Sequence, residues 1–229
     1  MGKPLSSVDK AYAQLRAKAV NFEFKPDARL NETALSVALK VSRTPLREAL
    51  NRLVAEGFLT FKTGRGFFCR ALTPERICEL YEARQAIETE AVRRAVDRAS
   101  DADIAILGAY LDKTERLYER CEDIAKLLEM DEKFHCRLVS LASNTELSNM
   151  LDNINGRIRY VRLINLELLR AAPKNNARQL SAHRRIIEAI AKRDEAGAIA
   201  AIRGHIERRR EQTAEAVRLA FSKLYVPEG

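Results

Sequence analysis

One segment, VSRTPLREALNRLVAEG at residues 41–57, constrains the fold of this chain more than any other. Its apolar residues recur at positions i, i+3, i+4, i+7 and i+8, which places them on one stripe of a helix. They are Leu46, Ala49, Leu50, Leu53 and Val54. We expect Thr44 to cap this helix, Pro45 to occupy its first position and Gly57 to end it.

A second short amphipathic helix is expected just before this one, across a tight turn. The segment LNETALSVALK, residues 30–40, would turn four apolar side chains inward, namely Ala34, Leu35, Ala38 and Leu39. On the longer helix, Thr44, Arg47 and Asn51 lie within about 60° of one another, beside the buried stripe. Two short helices across a tight turn, the second with a basic N-terminal end, predict a helix-turn-helix.

The residues that follow predict a β-hairpin. The segment FLTFKTGRGFF, residues 58–68, has two β-prone runs around Thr63–Gly66, with Arg65 at the tip. Glycine at position 64 lets the backbone lie close to a phosphate, and Arg65 can reach a phosphate or the minor groove. A helix-turn-helix followed by a basic hairpin is a winged helix.

The distribution of charge favours a DNA-binding role for this winged helix. Residues 1–70 contain 13 Lys and Arg against 6 Asp and Glu, so they carry seven of the eight net positive charges of the chain. A winged helix would bring Arg43, Thr44 and Arg47 to the major groove, where arginine pairs with guanine in a bidentate manner. The alternative is a solvated basic surface on an interaction helix. Charge, cap, helix and wing together favour double-stranded DNA as the partner.

From residue 73 onward the pattern is helical throughout. The expected helices begin at Pro74 with Thr73 as cap, begin at Ser100 or Asp101, contain residues 131–135, run from about Glu146 to Arg170, cover residues 178–193, and run from Asp194 past Arg218. Six helices without a strand predict an antiparallel bundle. The fold class is therefore mainly α, with a winged helix-turn-helix domain at residues 1–72 and an all-α domain at residues 73–229.

Four polar residues interrupt the apolar faces of these helices. They are Asp131 and His135, one turn apart, and then His183 and His205. Any one of these histidines alone is most simply a hydrogen-bonded core residue, but four such groups are costly to bury separately. Neutral imidazoles and a carboxylate suit Zn²⁺, Ni²⁺ or Mn²⁺, so we predict that they converge on one ion. Because no thiolate is in the set, coordination positions can remain open to water or an anion.

Both parts of the chain resemble known bacterial families. The segment VSRTPLREALNRLVAEGFL, followed by GRGFF, resembles the DNA-binding module of GntR-type transcription regulators. That resemblance implies DNA contacts from Arg43, Thr44, Arg47 and Gly64. The helical part resembles the FCD ligand-binding domain of one GntR subgroup, whose metal-binding members carry the four polar residues in this order. In that family a small carboxylate or sugar-acid effector binds at or beside the metal.

The first helix of the bundle contains a candidate effector-binding residue. Arg84 interrupts its inward stripe, and a buried arginine requires an anionic partner. That anion is either a ligand carboxylate or the side chain of Glu88, one turn further on. Asn144 matches a family position near the pocket. Arg159 and Arg162 are further candidates, for which a plain helix surface is the alternative.

These observations predict a sequence-specific transcription regulator, of the repressor kind, whose DNA affinity responds to a small organic acid. A homodimer is expected because one winged helix reads only half of a two-fold operator. The alternative is a metal-dependent hydrolase or lyase built on Asp131 and the histidines, which leaves the basic winged helix unexplained. A chain without a membrane-length apolar run, a signal peptide or a CxxC motif is expected in the cytoplasm, with its four cysteines unpaired.

Overall fold

The computed structural model describes residues 6–118, 120–171 and 176–225, which form nine helices and two strands. The elements are α1 (Ser7–Val20), α2 (Glu32–Leu39), α3 (Arg43–Ala55), β1 (Leu59–Lys62), β2 (Gly66–Cys69), α4 (Pro74–Arg98), α5 (Asp101–Tyr118), α6 (Ile124–Ser140), α7 (Thr145–Ala171), α8 (Asn176–Ala191) and α9 (Glu195–Tyr225). The chain divides into two compact units, one that ends at Thr73 and one that covers Pro74–Leu219. We propose a winged helix-turn-helix domain at residues 1–72 and an all-α domain at residues 73–229, a boundary one residue from this division.

The first unit is a winged helix, as predicted. Strands β1 and β2 pair antiparallel, from Leu59 opposite Cys69 to Lys62 opposite Gly66. Helices α1 and α3 pack together over a core with six of its large side chains at Leu15, Leu46, Leu50, Leu53, Phe58 and Phe67. Helix α1 was not predicted, because two of its four buried residues are small alanines that give a weak periodic signal.

Two local predictions in this unit are wrong. Helix α3 begins at Arg43 with Ser42 at the N-cap, so Thr44 is not the cap and Pro45 is the third helical residue. A proline is tolerated there because the first N–H groups of a helix have no intrahelical acceptor. In the short α2, Leu35 and Leu39 pack against the core, whereas Ala34 and Ala38 are exposed.

Gly57 ends α3 as predicted, with a left-handed φ of 78°. Its N–H donates to the carbonyl of Val54 at 3.0 Å, and the N–H of Phe58 donates to the carbonyl of Leu53 at 2.9 Å. This pair of bonds is a Schellman motif, which requires a left-handed residue at this position.

We therefore expect Gly57→Ala to lower the free energy of unfolding by about 1–2 kcal/mol, because a Cβ disfavours this backbone conformation. Urea denaturation measures the change. Gly108→Ala is the control, since Gly108 lies within α5 without a positive φ and a Cβ there meets nothing within 4 Å. That variant should be as stable as the wild type or more so. A Gly57→Ala protein as stable as the wild type would contradict the assignment.

The second unit is the predicted all-helical bundle. Helix α4 begins at Pro74, and α5 begins just after Ser100, whose hydroxyl accepts from the N–H of Asp103. The Asp194 carboxylate caps α9 by accepting from the N–H of Gly197 at 2.9 Å. Helix α6 packs against α4, α5 and α7, so its buried face lies at the centre of the unit.

Among the described residues, no helix is long and apolar enough to cross a membrane. The four cysteines are free thiols, and they are Cys69, Cys78, Cys121 and Cys136.

Candidate functional site

The four predicted ligands lie together in the interior of the helical unit. Asp131 and His135 project from α6, His183 from α8 and His205 from α9. One ligand atom from each lies within 4.8 Å of the others, and all four residues are buried. The chain has three histidines, and all three meet at this point.

The distances within this cluster are short. The Nε2 atoms of His135 and His205 are 3.2 Å apart. The Nε2 atom of His183 lies 3.5 Å from one carboxylate oxygen of Asp131, and the Nε2 atom of His135 lies 3.8 Å from the other. The ring of Phe134 stacks on His183 with centroids 4.1 Å apart, so an apolar side chain holds this imidazole in place.

The donor set fits a divalent transition-metal ion. Two Zn–N bonds of about 2.0–2.1 Å at a tetrahedral angle place their nitrogens about 3.3 Å apart, close to the separation of the His135 and His205 nitrogens. Three imidazoles and one carboxylate are ligands that Zn²⁺, Ni²⁺ and Mn²⁺ accept. The residues present are therefore able to hold such an ion.

Sequence reasoning missed the role of Glu88 in this site. Its Oε2 atom lies 2.5 Å from Nδ1 of His135, and both side chains are completely buried. A carboxylate at this distance accepts the Nδ1 proton, which leaves Nε2 of His135 with a free lone pair facing His205. Metal-binding histidines are commonly oriented in this way by a carboxylate behind the ring.

Arg84 is held by the other oxygen of Glu88, which was one of its two predicted partners. The Nε atom of Arg84 donates to Oε1 of Glu88 at 2.5 Å, and the side chain of Arg84 is 2% exposed. Burial alone raises the pKa of Glu88, but the positive charge of Arg84 and the contact with His135 outweigh it and lower that pKa to about 2. Within the described residues, the buried Nη2 atom of Arg84 has no hydrogen-bond partner.

Two arginines of α7 lie on the carboxylate side of the cluster. Arg162 is buried, and its Nη2 atom donates to Oδ2 of Asp131. Arg159 is partly exposed and donates to Glu132 on α6. Arg162 thus contacts one of the candidate metal ligands directly, whereas Arg159 contacts the residue next to it in sequence, Glu132.

Asn144 has a structural role at the start of α7. Its side-chain oxygen accepts from the N–H groups of Glu146 and Leu147, at 3.0 and 3.3 Å, and so caps the helix. These bonds satisfy donors that a helix leaves open at its first turn.

The six predicted DNA-binding residues are all exposed on the first unit. Four lie along α3 and two lie in the turn between β1 and β2, and they are Arg43, Thr44, Arg47, Asn51, Gly64 and Arg65. Gly64 has a φ of 72°, which the tight turn requires. The exposed side of α3 and the tip of the wing therefore present these groups to solvent.

Comparison with known proteins finds two families and many regulators. Residues 7–69 match the family model described as bacterial regulatory proteins, gntR family, and residues 79–208 match the FCD domain. The chain is 40% identical to the Nta operon transcriptional regulator of Aminobacter aminovorans over 207 residues, which cover 90% of this chain and 94% of that one.

More distant relatives are also transcription regulators. The HTH-type transcriptional repressor RspR of Escherichia coli K12 is 27% identical over 183 residues, or 80% of this chain and 78% of its own. A solved GntR transcriptional regulator from Rhodococcus sp. RHA1 is similar in structure, with a TM-score of 0.68 at 25% identity, over 93% of this chain and 99% of that one.

Proposed function

This chain belongs to the GntR family of bacterial regulatory proteins and contains an FCD domain, and from that premise we propose how its activity is controlled. Its families and relatives are transcription regulators and not enzymes, so the hydrolase or lyase alternative is set aside. We propose a cytoplasmic repressor that binds operator DNA as a homodimer. A small organic acid, bound at or beside a divalent metal ion in the helical unit, would set its affinity for DNA.

The observation that supports a metal most strongly is the convergence of all three histidines on Asp131. We propose that Asp131, His135, His183 and His205 bind Zn²⁺, Ni²⁺ or Mn²⁺. When bound, such an ion supplies open coordination positions that can accept a carboxylate oxygen. Glu88 would orient His135, as a positioning residue that does not touch the ion.

The proposed acid-binding residue is Arg84. Its Nη2 atom is buried without an acceptor in the described structure, which is costly unless a ligand supplies one. A carboxylate there would form a charge-assisted hydrogen bond. We propose Arg162 as a second contact, since it already borders Asp131, and Arg159 as an outer residue of the same pocket. Asn144 caps the other end of α7, about 27 Å from Arg162 along the helix, so we leave it out of this pocket.

The proposed gating step is a shift between two arrangements of the helices. An acid that binds one arrangement more tightly than the other shifts the population toward it. In a homodimer, the two winged helices must match the spacing of two half-sites, so a small change in the helical units would alter DNA affinity.

Electrophoretic mobility shift tests the proposed DNA binding. The DNA is the region upstream of the chain's own coding sequence, at moderate salt and with non-specific competitor. We expect a complex that survives competitor. A thermal-shift screen of small carboxylates then identifies acids that bind the protein, and repeating the mobility shift with these acids shows which of them change the affinity for DNA. Absence of any sequence preference would contradict the proposal.

A single substitution tests the proposed reading helix. Arg47→Ala is expected to weaken operator binding roughly tenfold, since a bidentate arginine–guanine contact contributes about 1–3 kcal/mol. Binding to unrelated DNA should fall less, because the lost contact is to a base. Fluorescence anisotropy with both duplexes measures the two affinities. An equal loss on both would show that Arg47 contacts the backbone instead.

A further inference from the structure

A second group of charged residues lines a surface cavity of about 480 Å³ in the winged-helix unit. Three arginines border it, namely Arg29, Arg43 and Arg47, with Glu32 as the acidic residue among them. Arg43 and Arg47 belong to the proposed DNA-binding set. Arg29 does not, and it comes from the segment before α2, outside both the helix-turn-helix and the wing.

The backbone around Arg29 is fixed against the wing. Arg29 forms an isolated antiparallel bridge with Phe68 of β2. On either side of it, the N–H of Leu30 donates to the carbonyl of Phe67 at 2.8 Å, and the N–H of Cys69 donates to the carbonyl of Ala28 at 3.0 Å. Arg29 therefore lies in a short backbone segment that is hydrogen-bonded to β2 on both sides, so little backbone freedom remains to be lost when it binds a partner.

The side chain of Arg29 lies over the start of β2. Its Nε atom is 3.9 Å from the point that a Cβ on Gly66 would occupy, and Glu32 Oε1 is 3.7 Å from the same point. Gly66 has a φ of 90°, a conformation that favours glycine. The residue itself is exposed, so its guanidinium is open to a partner in solvent.

The charge of the cavity favours an anion. Glu32 Oε2 lies 3.7 Å from Arg47 Nε and offsets one of the three positive charges. The remaining excess of positive charge includes Arg29, at the rim formed by the wing. Guanidinium groups on such a surface bind phosphate oxygens well.

We propose that Arg29 contacts a backbone phosphate of the DNA, beside the cavity that it shares with Arg43 and Arg47. This inference rests on the proposed DNA binding and adds a residue to it. The contact is sequence-independent because it involves a phosphate. It increases affinity because it releases counterions from the DNA. Each phosphate neutralised steepens the plot of log Kobs against log salt by about 0.9.

The experiment measures the affinity of the full-length protein for a duplex of arbitrary sequence at several salt concentrations, with fluorescence anisotropy as the readout. Arg29→Ala is expected to reduce the magnitude of the slope by about 0.9 for each winged helix on the duplex, so by about 1.8 for the proposed homodimer. Arg29→Lys should keep the wild-type slope, since a lysine supplies the same point charge to a phosphate. Thermal melting confirms that the variants are folded.

Arg52→Ala is the matched control. Arg52 is an exposed arginine of the same unit, outside the cavity lining, and it pairs with Asp9 of α1 at 3.0 Å. The variant Arg52→Ala loses the same charge as Arg29→Ala, but its salt slope should stay at the wild-type value. An unchanged slope for Arg29→Ala, or an equal reduction for Arg52→Ala, overturns the proposal. If the wild type binds no duplex at all, the proposed function itself fails, and this inference fails with it.

Discussion

His183→Ala is expected to weaken the binding of Zn²⁺ by about 100-fold or more. Structural zinc sites with four ligands bind with about 10–16 kcal/mol, so one ligand accounts for roughly 2.5–4 kcal/mol of that free energy. Each 1.4 kcal/mol corresponds to a factor of about ten in affinity. His183 is one of three imidazoles in the cluster, and its Nε2 atom lies 3.5 Å from Asp131. Competition against a chromophoric chelator, starting from metal-free protein, measures the dissociation constants.

Arg184→Ala is the control for this measurement. Arg184 neighbours His183 on α8, but it is exposed and pairs with Asp112 and Glu115 of α5. Its removal should leave Zn²⁺ affinity unchanged. His135→Ala should behave like His183→Ala, because both remove a proposed ligand. A Zn²⁺ dissociation constant unchanged from the wild type in both histidine variants would exclude the site.

Glu88→Gln is expected to weaken metal binding by about 10- to 100-fold, although Glu88 is not a proposed ligand. Arg84 and His135 contact different oxygens of Glu88, and a glutamine replaces one of these two acceptors with an N–H₂ donor. If its amide N–H₂ faces Nδ1 of His135, the imidazole proton must move to Nε2, which then cannot bind a metal. The same chelator competition measures the loss.

Glu90→Gln provides the comparison, two residues further along α4. Glu90 is partly exposed and pairs with Arg93 and Arg94 of its own helix, so its neutralisation should not alter metal affinity. Because Glu88 is buried, its substitution also affects folding. The increase in melting temperature on adding Zn²⁺ therefore serves as a second readout. This increase should be smaller for Glu88→Gln than for Glu90→Gln or Arg184→Ala. Equal increases in all variants would contradict the positioning role.

The parts of the fold that sequence reasoning predicted are those with strong local signals. The apolar stripe of α3, the glycines of the wing and the Pro74 start of α4 each follow from a few adjacent residues. The end of α3 followed from Gly57, but its start did not, since Ser42 and Thr44 are both able to cap a helix. Helix α1 has two alanines on its buried face, so no clear hydrophobic period marks it.

The four residues of the candidate site were predictable from the sequence, but most of the hydrogen bonds and ion pairs around them were not. Helical register places Asp131 and the histidines inward, and the cost of burying them separately suggests that they meet. That Glu88 lies behind His135 depends on how α4 packs against α6, which no local pattern encodes. The spacing of Arg84 and Glu88 allowed a pair between them, whereas the contact between Arg162 and Asp131 depends on α7 lying beside α6.

X-ray absorption at the zinc edge, on the full-length protein loaded with one equivalent of Zn²⁺, shows which side chains bind the ion. We expect three imidazole nitrogens at about 2.0–2.1 Å and at least one oxygen at about 2.0–2.2 Å, with the imidazole signal reduced in His205→Ala. A spectrum with sulfur neighbours at about 2.3 Å, or one unchanged by the loss of His205, would contradict it.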